Sequence, residues 1–196
     1  MAEAKSGYHH GDLREALILA ALEMLEAGEP FSLRAIARSA GVSTAAPYRH
    51  FADRDALESA LAVHGLRELM AEVSRVSDPT SGDNLGEIAV AYVRFAQLRP
   101  ELFRLMFGRP CDDRDDERVR AAGALHEFLE GLMLRAFPQS DPSALATAGW
   151  AVAHGLAVLH LDGKLDNSDQ AGIDARVRSA VSAVFPTPQL AERNES

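Results

Sequence analysis

The chain of 196 residues has a single cysteine, Cys111, so no disulfide can close within it. Aromatic residues make up only 6%, with Trp150 the lone tryptophan. No stretch alternates polar and apolar residues over the length of a strand, which leaves little basis for a sheet. Basic charge is also scarce. Twenty Lys and Arg stand against 29 Asp and Glu, a net charge of -9. A nucleic-acid binder with this balance has to confine its contact to a local patch, because the rest of its surface repels phosphate. Met1 to Gly7 is short and polar and is followed by His and Asp, which is not the pattern of a secretory signal, so a cytoplasmic setting is expected.

Catalytic and metal-binding patterns are missing too. His126-Glu127-x-x-Glu130 has no second histidine at the spacing a zinc helix needs, so neither metal nor cofactor is expected. Cys111 lies among Asp112, Asp113, Asp115 and Asp116, a field that opposes thiolate formation. There is no Ser-His-Asp order and no glycine-rich phosphate loop, which argues against an enzyme. The longest run without a charged residue, Pro142 to Leu161, has the length of a membrane span. It contains Ser143, Thr147, His154, His160 and two glycines, and much of the rest is alanine. It reads as the buried helix of a soluble protein, with no membrane partner expected.

What is present is helical period from end to end, giving an all-α class with nine expected helices. The first is capped by Asp12 and stops at Gly28. A short second opens at Ser32, and Ala40-Gly41-Val42 makes a tight turn. A third runs from a Ser43 cap to about Phe51. A long fourth, capped by Asp53, buries Leu57, Leu61, Leu66, Leu69, Met70, Val73 and Val76. Asp78 to Asn84 reads as a loop. Further helices are expected over Leu85 to Leu98, Pro100 to Gly108, Asp116 to Phe137, Pro142 to about Asp162, and Gln170 to Phe185. The expected division is a helical head at 8–54 and a helical body at 55–186.

Residues 1–54 hold six Lys or Arg and seven Asp or Glu, so the rest of the chain carries -8. Within 31–54, however, Arg34, Arg38, Arg49 and Arg54 face Asp53 alone, a local +3. This basic patch coincides with a helix-turn-helix pattern. Ile36 and Ala37 face inward, Gly41 permits the short turn, and Val42 plugs the junction. The small face Thr44-Ala45-Ala46 suits close approach to a major groove, and Tyr48, Arg49, His50 and Arg54 suit phosphate oxygens. Pro47, just past the first turn of the expected third helix, forfeits about one backbone bond.

Ile36-Ala37, Ala40-Gly41-Val42-Ser43, Tyr48, His50-Phe51, Asp53-Arg54 and Leu57 together resemble the DNA-binding signature of the TetR/AcrR transcriptional regulators. The opening Tyr8-His-His-Gly-Asp-Leu-Arg14 and the run Trp150-Ala-Val-Ala-His-Gly155 resemble one subgroup of that family. The resemblance implies that Arg34 reaches a base edge. It implies that Thr44, Ala45 and Ala46 form the base-reading face, that Tyr48 and His50 contact phosphate, and that Arg49 touches backbone or base. Arg54 stands where the family usually has a lysine against the DNA backbone. Ala46-Pro47 departs from the commoner Thr-Leu pair and leaves the base preference open.

The resemblance further implies a homodimer through the last two helices, a double-stranded operator, and release by a small-molecule effector. Ala146, Gly149, Ala153, Gly155 and Ala157 would allow close helix approach there. Tyr92, Phe95, Phe103, Met106, Phe107, Phe128, Leu132 and Trp150 are bulky enough to line an effector cavity, with His154 one helical turn from Trp150. The leading expectation is a repressor released by a small apolar or amphipathic ligand. A regulator or activator of the same fold, controlled by a protein partner without a small ligand, is the second reading.

Overall fold

A computed structural model describes residues 10–30, 32–77, 85–108 and 117–186. All regular structure among the described residues is helical, as the sequence pattern predicts. The helices are α1 (His10–Glu26), α2 (Leu33–Ser39), α3 (Arg54–Val76), α4 (Leu85–Leu98), α5 (Pro100–Phe107), α6 (Glu117–Ala136), α7 (Pro142–Leu161) and α8 (Gln170–Val184). Cys111 and the opening Tyr8-His9 lie outside the described residues. The chain divides into two compact units, one of residues 1–67 with 99–121 and the other of 68–98 with 122–196. The units follow packing rather than chain order, and the division falls inside α3.

Two local expectations need correction. α1 begins at His10, two residues before Asp12, so Asp12 lies inside the helix rather than capping it. The third expected helix, Ser43 to Phe51, is not an α-helix. Thr44 and Ala45 sit in a turn, and only Pro47–Arg49 is helical, as a single 3-10 turn. Pro47 is the reason. An α-helix starting at Ser43 would need its first backbone donor at residue 47, and proline has no N–H. Ala46 N–H instead donates to the Ser43 carbonyl at 2.9 Å, and His50 N–H to the Pro47 carbonyl at 2.9 Å, both the tighter 3-10 spacing.

In the first unit, Leu17, Ala21, Ile36, Ala37, Leu57, Leu61 and Leu102 are fully buried. α1 packs on both α2 and α5. The N-cap of α5 is Arg99, whose side chain makes no cap bond. Glu26 from the end of α1 fills that role, its Oε1 accepting from Leu102 N–H and Arg99 Nε–H, each at 3.3 Å. A carboxylate there also sits at the positive end of the α5 dipole. Gly65 on α3 lets α5 come close, since a Cβ there would lie 2.5 Å from Met106 Sδ.

In the second unit, α4 is the central element and packs on both α7 and α8. Ala96 on α4, and Ala146 and Ala157 on α7, are buried small residues that permit close contact. α7 and α8 start on Asp141 and Asp169, whose carboxylates accept from the first free backbone N–H groups. Arg94 on α4 forms a two-point ion pair with Asp174 on α8. Burial opposes ionisation of Asp174, but hydrogen bonds from Arg94 and Gln170 outweigh it and hold the carboxyl below its ordinary pKa. Beside it, Arg178 donates to Glu87 from Nε at 2.5 Å and lowers that carboxyl as well.

The turn after α2 is the tightest local constraint in the first unit. Gly41 has φ +68°, its N–H donates to Arg38 O at 3.1 Å, and Val42 N–H reaches Ala37 O at 2.9 Å. This doubled closure ends a helix with a residue in the left-handed region. A Cβ at Gly41 would meet nothing within 4 Å, so substitution is penalised by backbone conformation alone. Gly41→Ala is expected to lower unfolding free energy by about 1–2 kcal/mol, measured by urea titration.

Candidate functional sites

The first candidate site is the exposed side of the head. α2 starts on Ser32, whose Oγ accepts from Ala35 N–H at 3.2 Å. Its buried face, Leu33, Ile36 and Ala37, leaves Arg34 and Arg38 exposed on the other side. The Gly41 turn then brings the chain round to Thr44 and Ala45, both exposed, and Ala46, half-buried. Pro47 is buried, so the 3-10 turn is anchored from below while Tyr48 and Arg49 project outward, Tyr48 at 51% exposure. His50 is half-buried, with its ring 6.4 Å from that of Phe51. Phe51 is buried, and the Arg14 guanidinium from α1 lies 5.4 Å over its ring.

α3 begins on Asp53, whose Oδ1 accepts from Ala56 N–H at 2.8 Å. Arg54, the first residue of α3, donates from Nε to buried Glu58 at 2.7 Å while 61% of its side chain stays exposed. All eight side chains expected to face DNA therefore lie in one continuous segment from α2 to the start of α3. Arg38 shares the exposed side of α2. Its charge is part of the local excess of 31–54, although the family resemblance implies no contact for it. The anchoring roles of Pro47 and Arg14 were not legible either, since both depend on partners distant in the chain.

The second candidate site is a cavity in the second unit. Its lining atoms enclose about 460 Å³, the mouth included. The walls come from Val73 on α3, from Leu85, Ile88, Ala89 and Tyr92 on α4, from Leu125, Leu129 and Met133 on α6, from Gly149, Trp150 and Ala153 on α7, and from Val181 and Phe185. At Gly149 a Cβ would lie 2.9 Å from Met133 Cε, so a side chain there would push the end of Met133 aside. Of the side chains expected at an effector site, Tyr92 and Trp150 line this cavity. His154 stands directly behind them, bonded to Tyr92. Phe95 and Leu132 are buried and Phe128 half-buried, and none of the three forms the wall. Phe103, Met106 and Phe107 belong to the first unit, where the Phe103 and Phe107 rings meet at a tilt with centroids 4.9 Å apart. Helical spacing alone could not separate these α5 residues from the cavity wall. The aliphatic lining of α4 and α6 carried no distinguishing signal in the sequence.

One polar chain crosses the cavity wall. Trp150 Nε1–H donates to the Tyr92 hydroxyl at 3.1 Å, and that hydroxyl lies 3.0 Å from His154 Nδ1. Burial pushes the Tyr92 pKa well above its ordinary value, against the opposing Trp150 hydrogen bond. Burial also lowers the pKa of His154. A neutral His154 with an open Nδ1 lone pair accepts from Tyr92 O–H, so the three groups satisfy one another in sequence. On the far side of Trp150, His126 bonds Thr147 Oγ1 at 3.0 Å, and its Nδ1 lies 3.3 Å from Glu130. Among the described residues no group of three or more His, Cys, Asp or Glu is placed to hold a metal.

The family model described as "Bacterial regulatory proteins, tetR family" matches residues 17–61, and that described as "Tetracyclin repressor-like, C-terminal domain" matches 85–184. The second match spans half of the chain, and the chain belongs to the TetR family. It is thus a helix-turn-helix, DNA-binding transcriptional regulator rather than an enzyme. Among curated proteins, it is 33% identical over 96 residues to the HTH-type transcriptional regulator Rv1816 of Mycobacterium tuberculosis. The matched segment covers 47% of this chain and 41% of that protein, so less than half of the relative's length is spanned. A solved structure of a protein of unknown function from Rhodococcus sp. RHA1 is 34% identical, with a TM-score of 0.77. That likeness covers 92% of this chain and 97% of the other. A TetR variant from Acinetobacter baumannii in complex with minocycline shares the fold at 22% identity and a TM-score of 0.59, over 91% of this chain and 95% of that one.

The unfolded chain protonates His154 near pH 6.5, before the folded protein does, because burial lowers the folded value. The stabilisation from the neutral ring is therefore whole above about pH 6.5 and is lost as pH falls through the lower folded pKa. The urea midpoint of the native protein is expected to drop between about pH 7 and 5.5, and His154→Asn to flatten that arm. Tyr92→Phe removes both hydrogen bonds of the chain and is expected to cost about 1–2 kcal/mol at pH 7.5.

Proposed function

We propose that the protein is a homodimeric repressor that leaves a palindromic operator when a small apolar or amphipathic ligand enters the cavity of the second unit. The observation that carries this reading is the cavity itself. A regulator governed only by a protein partner has no use for an apolar space behind a Trp150–Tyr92–His154 hydrogen-bond chain. The head supplies the reading surface. Arg34 and the small face Thr44-Ala45-Ala46 take the base edges, while Tyr48, Arg49, His50 and Arg54 take the phosphates.

Dimerisation through α7 and α8 is supported by what a single chain leaves uncovered. α7 is long and apolar enough to pass as a membrane span, yet only 22% of its apolar window is buried. Ala144, Ala151, Val158 and Leu159 are exposed along it, and Val184 at 50% exposure ends α8. A second copy of the same two helices is a self-complementary cover for such a face. Coupling between ligand and operator is assigned to α3, one uninterrupted helix from Arg54, in the DNA-facing segment, to Val76, one turn past Val73 of the cavity wall. Ligand would shift the population toward a spacing of heads that no longer fits the operator. The setting is cytoplasmic.

Selection from random duplexes at several salt concentrations tests the DNA reading. An enriched palindrome with affinity falling steeply as salt rises is expected, and no enrichment at any salt would sink it. On the selected site, Arg34→Ala is expected to cost about 1–3 kcal/mol and to relax preference at one base position. By sedimentation equilibrium the native chain should be a dimer, and the Val158→Asp, Leu159→Asp double variant a monomer. A native monomer at micromolar concentration removes the dimer model.

A further inference from the structure

The effector reading leaves the chemistry of the ligand open, and the cavity wall narrows it. Every described side chain that lines the space is uncharged. The nearby charged groups on α4 and α8 are committed to each other, Arg94 to Asp174 and Arg178 to Glu87. On the far side of Trp150, His126 and Glu130 face each other as well, and neither reaches the wall. An ion entering this space would lose its hydration and gain no counter-ion, a cost of the kind that buried charges escape only by pairing.

The polar groups at the wall point the same way. Trp150, Tyr92 and His154 are bonded in series, so the wall offers a ligand one hydrogen-bonding spot and no ionic one. Burial keeps His154 neutral at pH 7.5, which denies an anion an imidazolium partner.

We infer that the cavity selects uncharged ligands, mainly hydrocarbon and bearing at most one hydroxyl or carbonyl group at the Tyr92–Trp150 end. It rejects carboxylates and ammonium ions of the same shape. This rests on the proposal that the cavity is the effector site, and it adds the basis of discrimination. Charge is excluded by the missing counter-ion, and shape by the aliphatic walls from α4 and α6.

Two matched sets of probes test it on the full-length protein at pH 7.5. One set is 1-decanol, decanoate and decyltrimethylammonium. The other is 2-naphthalenemethanol, 2-naphthoate and 2-naphthylmethylammonium. Dissociation constants are measured by titration calorimetry below the micelle concentrations. At least one of the two alcohols is expected to bind, and to bind roughly a hundredfold or more tighter than its charged counterparts. Ala153→Phe fills the cavity and is expected to abolish that binding, with Val181→Phe as the replacement should the first variant not fold. If a charged probe binds as tightly as its alcohol and the filled variant loses it, charge selection is overturned while the effector cavity stands. If alcohol binding survives in the folded filled variant, the ligand lies elsewhere and the inference fails. If none of the six binds, the inference and the effector reading fall together.

Discussion

The second unit depends on how closely α4 can lie against α7. Ala96 on one helix, and Ala146 and Ala157 on the other, are buried small residues that let the two helices lie close. That approach brings Tyr92 within hydrogen-bond reach of Trp150 and His154, two residues one turn apart on α7. With larger residues at the contact the helices would stand further apart, and the polar chain would break. The cavity lies beside this contact, with Leu125, Leu129 and Met133 of α6 forming part of its wall. On its other side α4 is held to α8 by the Arg94–Asp174 and Arg178–Glu87 pairs, which fix register rather than supply much stability at a partly exposed surface.

The head follows a different logic, dominated by backbone conformation. Gly41 in the left-handed region reverses the chain within two residues, and Pro47, lacking an N–H, then withholds the first bond of an α-helix starting at Ser43. The result is a compact 3-10 turn whose proline faces the core and whose Tyr48 and Arg49 face out. Side chains on such a short turn hold their direction through buried Pro47 and Phe51, with the Arg14 guanidinium over the Phe51 ring, rather than through helix length. In a chain of net charge -9, this segment is where Arg34, Arg38, Arg49 and Arg54 concentrate. The acidic remainder disfavours any other approach to DNA.

Much of this was legible in the residues. The all-α class, the starts of α4, α5, α7 and α8, the Asp53 and Asp141 caps and the Gly41 turn all follow from local rules, because each depends on neighbours within four positions. The exposed side of the head was legible for the same reason. The cavity was not. Phe103, Met106 and Phe107 have the size and spacing of lining residues, yet α5 packs with α1 and Gly65 of α3. The real wall includes Ile88, Leu125, Leu129 and Val181, which look like any other core aliphatics.

Sequence alone therefore determined the helical class, the helix-turn-helix and the family, since those rest on period, on caps and turns, and on a contiguous motif. Tertiary structure decided which large side chains meet, because contacts such as Tyr92 with His154 or Glu26 with Leu102 join residues more than sixty positions apart. No periodicity within one helix reports which neighbour its apolar face will find. Tertiary structure also decided the conformation around Pro47. The missing N–H is visible in the sequence, but whether the chain continues as a helix or tightens into a 3-10 turn depends on the core that receives the proline ring.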